Sequence, residues 1–154
     1  MSVANVYLTQ GLHRSLQRHP HKTALTHVGE GFVRQHSFAQ LRDGIARHAA
    51  ALRAHGVGPG DRVALLAPNH DLLVRALFAC WWLGAVACPL NVRWSAPEVA
   101  HALLDSGARL LVVDPELATL AQGAALPTLT LSQLADEAQA HEPVPDTRSG
   151  GDTL

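Results

Sequence analysis

The densest run of glycines, Gly56-Val57-Gly58-Pro59-Gly60, is the first place to look for phosphate-binding chemistry. A phosphate-binding loop follows a strand and opens a helix, because backbone amides and the helix dipole then face the anion. This run instead follows a helical pattern and opens an apolar strand, and Pro59 has no amide hydrogen to donate. The pattern therefore predicts a helix end followed by a tight turn.

Asp114 directly follows an apolar run of strand length. Ligands of parallel sheets bind at the carboxyl ends of strands, where an aspartate could hold a ribose. Asp114 precedes Pro115, however, and an aspartate in that position more commonly forms a turn. The loop after the first parallel strand, Ala67-Pro68-Asn69-His70, has no glycine for close approach to a phosphate. This difference argues against a dinucleotide-binding site.

Ten histidines and two cysteines raise the possibility of metal binding or nucleophilic catalysis. His48 and His55 lie two turns apart on a predicted helix, but spacing positions no third ligand and no His-Glu-x-x-His pattern occurs. We expect the histidines to lie on the surface. Cys80 and Cys88 have no positioned histidine base, and no Gly-x-Ser-x-Gly is present. The sequence therefore assigns no catalytic, cofactor-binding or metal-binding residue.

Three tryptophans could line an apolar pocket. Trp81 and Trp82 are adjacent on a predicted helix, so their side chains point about 100° apart and cannot share one wall. We expect one of the two to pack in the core and the other to face an interface or a pocket. Trp94 lies outside this helix.

Composition narrows the class of protein. Hydrophobic residues make up 47% of the chain and charged residues 16%, which is typical of a globular domain. The formal net charge is −1 and Lys22 is the single lysine, so no basic field would attract nucleic acid or an anionic membrane. The uncharged stretch at residues 76–90 is too short for a membrane span and is broken at Gly84. With no signal peptide evident in residues 1–30, the expected location is the cytoplasm.

From Arg62 onward, predicted strands alternate with predicted helices, and these elements would position the candidate residues. Apolar runs of strand length alternate with helical patterns, and this order predicts parallel strands with right-handed crossovers. Near-continuous apolar strands of this kind are buried on both faces. The predicted strands are residues 63–66, 85–88 and 110–113, and the predicted helices between them are residues 69–83, capped by Asn69, and residues 96–106, opened by a Ser95–Glu98 capping box.

Shorter elements flank this unit. Leu8, Leu12 and Leu16 recur every four residues and predict a helix capped by Asn5. Gly29-Glu30-Gly31 lies between two strand-like runs and predicts a hairpin. The other predicted elements are strands at 23–28, 32–36 and 128–130, helices at 37–55, 116–122 and 131–140, and a loop or linker at 141–154; the helix at 37–55 opens with the capping box Ser37-Phe38-Ala39-Gln40.

Five segments carry a resemblance to a known family. They read NVYLTQGLHRSLQRHP (5–20), SFAQL (37–41), GVGPGDRVAL (56–65), GAVACPLNVRWSAPE (84–98) and DSGARLLVVD (105–114). In this order they resemble the N-terminal part of adenylate-forming (AMP-binding) acyl-CoA ligases, in the fatty-acyl-CoA synthetase branch. The resemblance implies a Rossmann-like α/β fold: a parallel sheet flanked by helices, with a small N-terminal β-hairpin. Residues 1–140 would form part of the AMP-binding domain, and 141–154 a linker or truncated loop.

The resemblance also implies what a complete enzyme would do. Such a ligase uses ATP and Mg²⁺ to convert a carboxylate into an acyl-adenylate, and coenzyme A then displaces AMP. The family's Thr/Ser/Gly-rich phosphate loop, its later acidic motifs and its C-terminal lysine have no counterpart here, and Lys22 lies in the wrong segment. We therefore expect the chain to bind no cofactor alone and to need the missing downstream part of the ligase as its partner. The alternative is a non-catalytic α/β interaction module derived from that scaffold.

Overall fold

The computed structural model describes residues 6–150, which form six strands and five α-helices together with one 3-10 helix. Their order along the chain alternates from the third strand onward, as predicted. The elements are α1 (Gln10–Arg18), β1 (Thr23–Gly29), β2 (Phe32–Ser37), α2 (Phe38–Ala54), β3 (Arg62–Leu66), α3 (Asp71–Trp82), β4 (Val86–Pro89), α4 (Ala96–Ser106), β5 (Leu110–Val113), a 3-10 helix (Pro115–Ala121), β6 (Thr128–Thr130) and α5 (Leu131–Ala140).

Four parallel strands form the main sheet, in the order β4-β3-β5-β6. Alternate residues of the two central strands enter different cores, because successive side chains of a strand point to opposite faces. Leu65 and Val112 pack with α2, α3 and α5, whereas Leu66 and Leu111 pack with α4 and the 3-10 helix. The sheet is therefore covered on both faces. The antiparallel β1–β2 hairpin forms a separate two-stranded sheet, so the predicted fold class is confirmed.

The strand predicted at residues 85–88 differs from the prediction in its position and burial. It runs from Val86 to Pro89, and its residues are half-buried or exposed rather than fully buried. The reason is its place in the sheet, because β4 is an edge strand and β3 is its only partner among the described residues. The central strands β3 and β5 have the predicted burial, apart from the exposed Arg62.

Two helix starts also differ from the prediction. The cap of α3 is His70 rather than Asn69, because the His70 Nδ1 accepts the amide hydrogen of Leu73 at 3.3 Å. Helix α1 begins at Gln10 with Thr9 as its cap, and the half-exposed Leu8 precedes it. The predicted cap Asn5 lies outside the described residues. The capping boxes at Ser37 and Ser95 are confirmed.

The described part of the segment after α5, residues 141–150, contains no helix or strand, but it packs closely on the domain. We call residues 141–150 the C-terminal strap. The indole Nε1 of Trp82 donates to the Val144 carbonyl at 2.8 Å, and the Thr147 amide donates to the Trp82 carbonyl at 2.9 Å. Gly84 has a φ of 71° and faces Ser149 so closely that a side chain at position 84 would collide with it. The strap thus covers the end of α3.

Asp146 fastens this strap to α1. Its carboxylate lies 2.7 Å from the His13 Nε2, accepts the Thr9 hydroxyl and accepts the Arg148 amide at 2.8 Å. The Asp146 side chain is 3% exposed, so water cannot replace these partners when they are lost. Tyr7 and Gly150 form an antiparallel bridge beside it.

The Asp146→Ala substitution is therefore expected to lower the free energy of unfolding by about 2 kcal/mol, because buried donors on α1 lose their acceptor. Urea denaturation measures the change. The matched control is Glu142→Ala, which removes an exposed carboxylate of the same strap and should change stability by less than about 0.5 kcal/mol. Equal midpoints for the two variants would show that the strap does not hold α1.

We expect the 154-residue chain on its own to be poorly soluble or to self-associate. The outer edge of β4 is unpaired within the described residues, and Val28, Val33 and Leu104 are 71%, 62% and 80% exposed. Open edges and exposed apolar side chains favour association between chains. Size-exclusion chromatography with a thermal melt tests this, and co-expression with the downstream region of a related ligase should reduce the association. A monodisperse monomer with a sharp cooperative transition would contradict it.

Candidate functional site

A buried carboxylate at the start of α3 is the centre of the polar interior. Asp71 is 2% exposed, and its Oδ1 lies 3.0 Å from the His27 Nδ1 and 3.3 Å from the Arg34 Nη2. Its Oδ2 lies 2.9 Å from the His36 Nε2. We call these four residues the Asp71 cluster. The three partners all come from the β1–β2 hairpin, so the cluster joins the hairpin to the main domain.

The hairpin register explains why three basic side chains reach one carboxylate. His27 is paired with Arg34, and Leu25 with His36. Residues directly opposite share a face of a sheet, and so do residues two apart on one strand. Arg34, His36 and His27 therefore point to the same side, where α3 begins.

Asp71 is ionised in this setting. Burial by itself would raise the pKa of Asp71, but the His36 hydrogen bond, the Arg34 charge and the His27 hydrogen bond outweigh it and hold the pKa below its ordinary value. An ionised carboxylate only accepts hydrogen bonds, so His36 donates through Nε2 and its Nδ1 is left to accept. The Arg75 Nη2 lies 3.0 Å from that Nδ1. The cluster thus extends from Asp71 through His36 to Arg75.

A second polar pair lies at the carboxyl ends of β3 and β5. The His70 Nε2 lies 3.2 Å from the Asp114 Oδ2, while the Asp114 Oδ1 accepts the Glu116 amide at 2.9 Å. Asp114 therefore caps the 3-10 helix, as expected of a turn-forming aspartate, and its other oxygen faces His70. The rings of His70 and His27 are 6.0 Å apart, which places this pair beside the Asp71 cluster.

The expectation that the histidines lie on the surface is wrong for His48. It is 2% exposed on α2, and burial lowers its pKa from 6.5 to about 4, so the ring is neutral. Its Nδ1 donates to the Gly44 carbonyl at 2.8 Å. His48 follows Ile45 by three residues and so lies on the buried face of the helix. Among residues 6–150, no group of three histidine, cysteine or acidic side chains is close enough to hold a metal ion.

The remaining candidate residues have structural roles. Gly56 and Gly60 have φ values of 82° and 80°, at the end of α2 and in the turn before β3, as predicted. Cys80 is buried, and burial raises the pKa of its thiol to about 12, which makes it a poor nucleophile. Trp82 is 3% exposed, whereas Trp81 is only half-buried and packs on Phe78. The two indoles thus diverge as predicted.

The Asp71 cluster can hold charge and orient a guanidinium, but it lacks the parts of a nucleophilic site. Its hydrogen-bond partners are imidazole and guanidinium groups, and within residues 6–150 no serine or cysteine side chain is hydrogen-bonded to the cluster. Sequence reasoning missed the cluster. The available signal was the alternation of His27, Arg34 and His36 on one face of the hairpin, but nothing local indicated that this face covers Asp71.

Comparison with known proteins identifies the family. The model of the family described as AMP-binding enzyme matches residues 12–152, which is nearly the whole chain. The chain belongs to the AMP-binding enzyme family. The feruloyl-CoA synthase of Amycolatopsis sp is 47% identical over 114 residues, which cover 71% of this chain and 22% of that protein. This AMP-binding chain spans about a fifth to a quarter of the length of the curated relatives named feruloyl-CoA synthase and fatty acid–[acyl-carrier-protein] ligase.

Solved structures of this family indicate which part of such an enzyme the chain corresponds to. The Mycobacterium tuberculosis fatty acyl CoA synthetase matches with a TM-score of 0.82 and 28% identity, over 97% of this chain and 31% of that one. The N-terminal domain of FACL13 from the same organism matches with a TM-score of 0.82 and 27% identity, over 98% and 40%. The chain thus corresponds to an N-terminal portion of an AMP-binding enzyme. Within residues 6–150, no helix has the length and apolar character needed to cross a bilayer.

Proposed function

We propose that this chain is the N-terminal part of a carboxylate–CoA ligase that forms an acyl-adenylate from ATP and then an acyl-CoA thioester. The supporting observation is the match of residues 12–152 to the AMP-binding enzyme family, together with 47% identity to a protein named as a CoA synthase. In the complete enzyme the cofactors are ATP, Mg²⁺ and coenzyme A. We place the enzyme in the cytoplasm.

The role of this chain within that enzyme is scaffolding. Adenylyl transfer depends on placed cations and metal around the phosphates. Lys22 is exposed between α1 and β1, and Arg34 is paired with the buried Asp71. No residue of this chain is proposed as catalytic, cofactor-binding or metal-binding. The chain alone is therefore proposed to be inactive, with the downstream part of the ligase as its partner.

The acid substrate is proposed to be a fatty acid, by similarity to the fatty acyl CoA synthetase of M. tuberculosis. A second candidate is an aromatic acid, which the relative named feruloyl-CoA synthase favours through its higher identity of 47%. A single measurement distinguishes the two candidates: which acid supports activity in a reconstituted enzyme.

Pyrophosphate exchange into ATP tests the proposal in two steps. The purified chain alone should show no exchange with a fatty acid or with ferulate, because it lacks the family's phosphate loop and the cations that adenylyl transfer requires. Co-expressed with the downstream portion of the feruloyl-CoA synthase, it should gain carboxylate-dependent exchange, and a full-length relative serves as the positive control. Exchange by the chain alone would overturn its proposed inactivity. A stable complex without exchange would instead support the interaction module.

A further inference from the structure

A cavity of about 350 Å³ lies between β2, α2, α3 and α5 and is lined in part by the Asp71 cluster. It has an unusual concentration of charge for a chain with so few charged residues. Its polar and charged walls are formed by Arg34, Arg47, Arg75, His48, Asp71 and Asp136. Three guanidinium groups face two carboxylates, so the wall has a positive balance.

The charges around this cavity are not all neutralised. Arg34 lies 3.3 Å from Asp71, and Arg47 lies 2.9 Å from Asp43. Arg75 has no carboxylate within 4.0 Å among the described residues, and its Nε is buried without a hydrogen bond. A buried charge without a counter-ion is unfavourable. Arg75 is half-buried and feels the charge of Asp71 only from beyond 4.0 Å, and its Nε lacks a hydrogen-bond acceptor among the described residues.

The position of Arg75 is fixed from two sides. Its Nη2 donates to His36, which is itself held by Asp71. Its guanidinium lies against α2 at Gly44, where a Cβ would come within 3.2 Å of it. Because Gly44 has no side chain, the Arg75 guanidinium can approach α2 beside His48.

His48 supplies an unpaired acceptor on the same wall. Its Nδ1 hydrogen is used by the Gly44 carbonyl, so in the neutral ring the Nε2 can only accept. That Nε2 is buried and has no partner among the described residues. The cavity wall therefore contains a guanidinium whose Nε lacks an acceptor and an imidazole whose Nε2 lacks a donor, among the described residues.

We propose that this cavity binds a small, singly charged oxyanion that carries a proton, of the chemistry of dihydrogen phosphate, between Arg75 and His48. A charged oxygen of the ion accepts from Arg75, and its hydroxyl donates to the His48 Nε2. Arg34 and Arg47 add attraction, while Asp71 and Asp136 oppose a second negative charge. Sulfate carries no proton at neutral pH and leaves His48 unpaired. This site is independent of the proposed ligase activity.

Equilibrium dialysis of the full chain with radiolabelled inorganic phosphate tests the site, with sulfate as competitor. Phosphate should bind saturably and be preferred over sulfate by about tenfold or more, the effect of one buried unpaired group. Arg75→Gln should weaken phosphate binding by about tenfold or more, because a charge-assisted hydrogen bond is lost. His48→Leu should reduce the preference over sulfate to about twofold, because it removes the acceptor. Glycerol 3-phosphate as a second competitor distinguishes free phosphate from a phosphate monoester, and either assignment upholds the oxyanion site.

Two controls keep the result interpretable. Arg109→Gln removes an arginine that is 55% exposed near Asp61, outside the cavity, and should leave phosphate binding unchanged. Arg75→Lys retains the charge and should retain part of the binding if Arg75→Gln disturbs folding. Absence of saturable phosphate binding, or equal displacement by sulfate in the unaltered chain, would overturn the proposal.

Discussion

Replacing Asp71 with alanine is expected to lower the free energy of unfolding by about 3 to 5 kcal/mol, the range for removing one partner of a buried charge cluster. Asp71 is 2% exposed and is the common acceptor for His27, Arg34 and His36. Without it, the two imidazoles lose their acceptor and the guanidinium loses its counter-ion. Denaturant unfolding measures the loss, and hydrogen exchange should show the β1–β2 amides opening first.

The matched control is Asp43→Ala, which removes a 46% exposed carboxylate paired with Arg47 on the same helix. An exposed pair of this kind contributes about 0.5 kcal/mol or less. If Asp71→Ala and Asp43→Ala destabilise the chain equally, the cluster does not hold the hairpin to α3. Uniform exchange across the whole chain in Asp71→Ala would likewise contradict the local role of the cluster.

The second large effect is a loss of stability in mild acid, caused by His48. The pKa of His48 is about 4 in the folded chain against its ordinary value of 6.5, because burial disfavours the charged ring. Between these pH values the unfolded chain binds a proton that the folded chain does not, so stability falls as the pH falls. At about 1.4 kcal/mol per pH unit, the loss between pH 6.5 and pH 4 approaches about 3 kcal/mol.

Urea unfolding at several pH values, in buffer without phosphate, measures this slope. His48→Leu removes the titrating group, and its stability should fall by about 3 kcal/mol less than that of the unaltered chain between pH 6.5 and pH 4. His101→Leu is the matched control, since His101 is exposed on α4 and should leave the slope unchanged. The same slope in His48→Leu as in the unaltered chain would exclude His48 as the cause. Asp71, whose pKa is below its ordinary value in the folded chain, begins to lose its contribution near the acid end of this range, but it does so equally in the unaltered chain and in His48→Leu and so cancels from the comparison.

Much of the fold could be predicted because its signals are local. The apolar run Leu110–Val113 predicted a buried strand, and Ser37 followed by Gln40 predicted the capping box that opens α2. The order of the strands in the sheet could not be predicted from local signals. A parallel strand can add to either side of its neighbour, so the sequence around Val86 does not show that β4 lies at an edge.

The Asp71 cluster could not be predicted either, because its members are far apart in the sequence. His27 and Asp71 are 44 residues apart, and His36 and Asp71 are 35 apart, so no local pattern connects them. The burial of His48 was a different case. Ile45, Ala49 and Leu52 already predicted the buried face of α2, and helical spacing places His48 on that face. The surface was expected because the spacing of the histidines positioned no third metal ligand, but that test says nothing about burial, which the packing of α2 decides here.

The contact between Thr9 and Asp146 has a consequence for synthesis on the ribosome. The two residues are 137 positions apart, so at about 5 to 20 residues per second the acceptor appears on the order of ten seconds after the donor. During that interval α1 has left the ribosome without Asp146, the residue that fastens it, and Leu12 has only part of its final packing. Among the described helices, α1 is thus made first but gains its contact with the strap last. A nascent chain exposes the apolar face of α1 until Asp146 has been made.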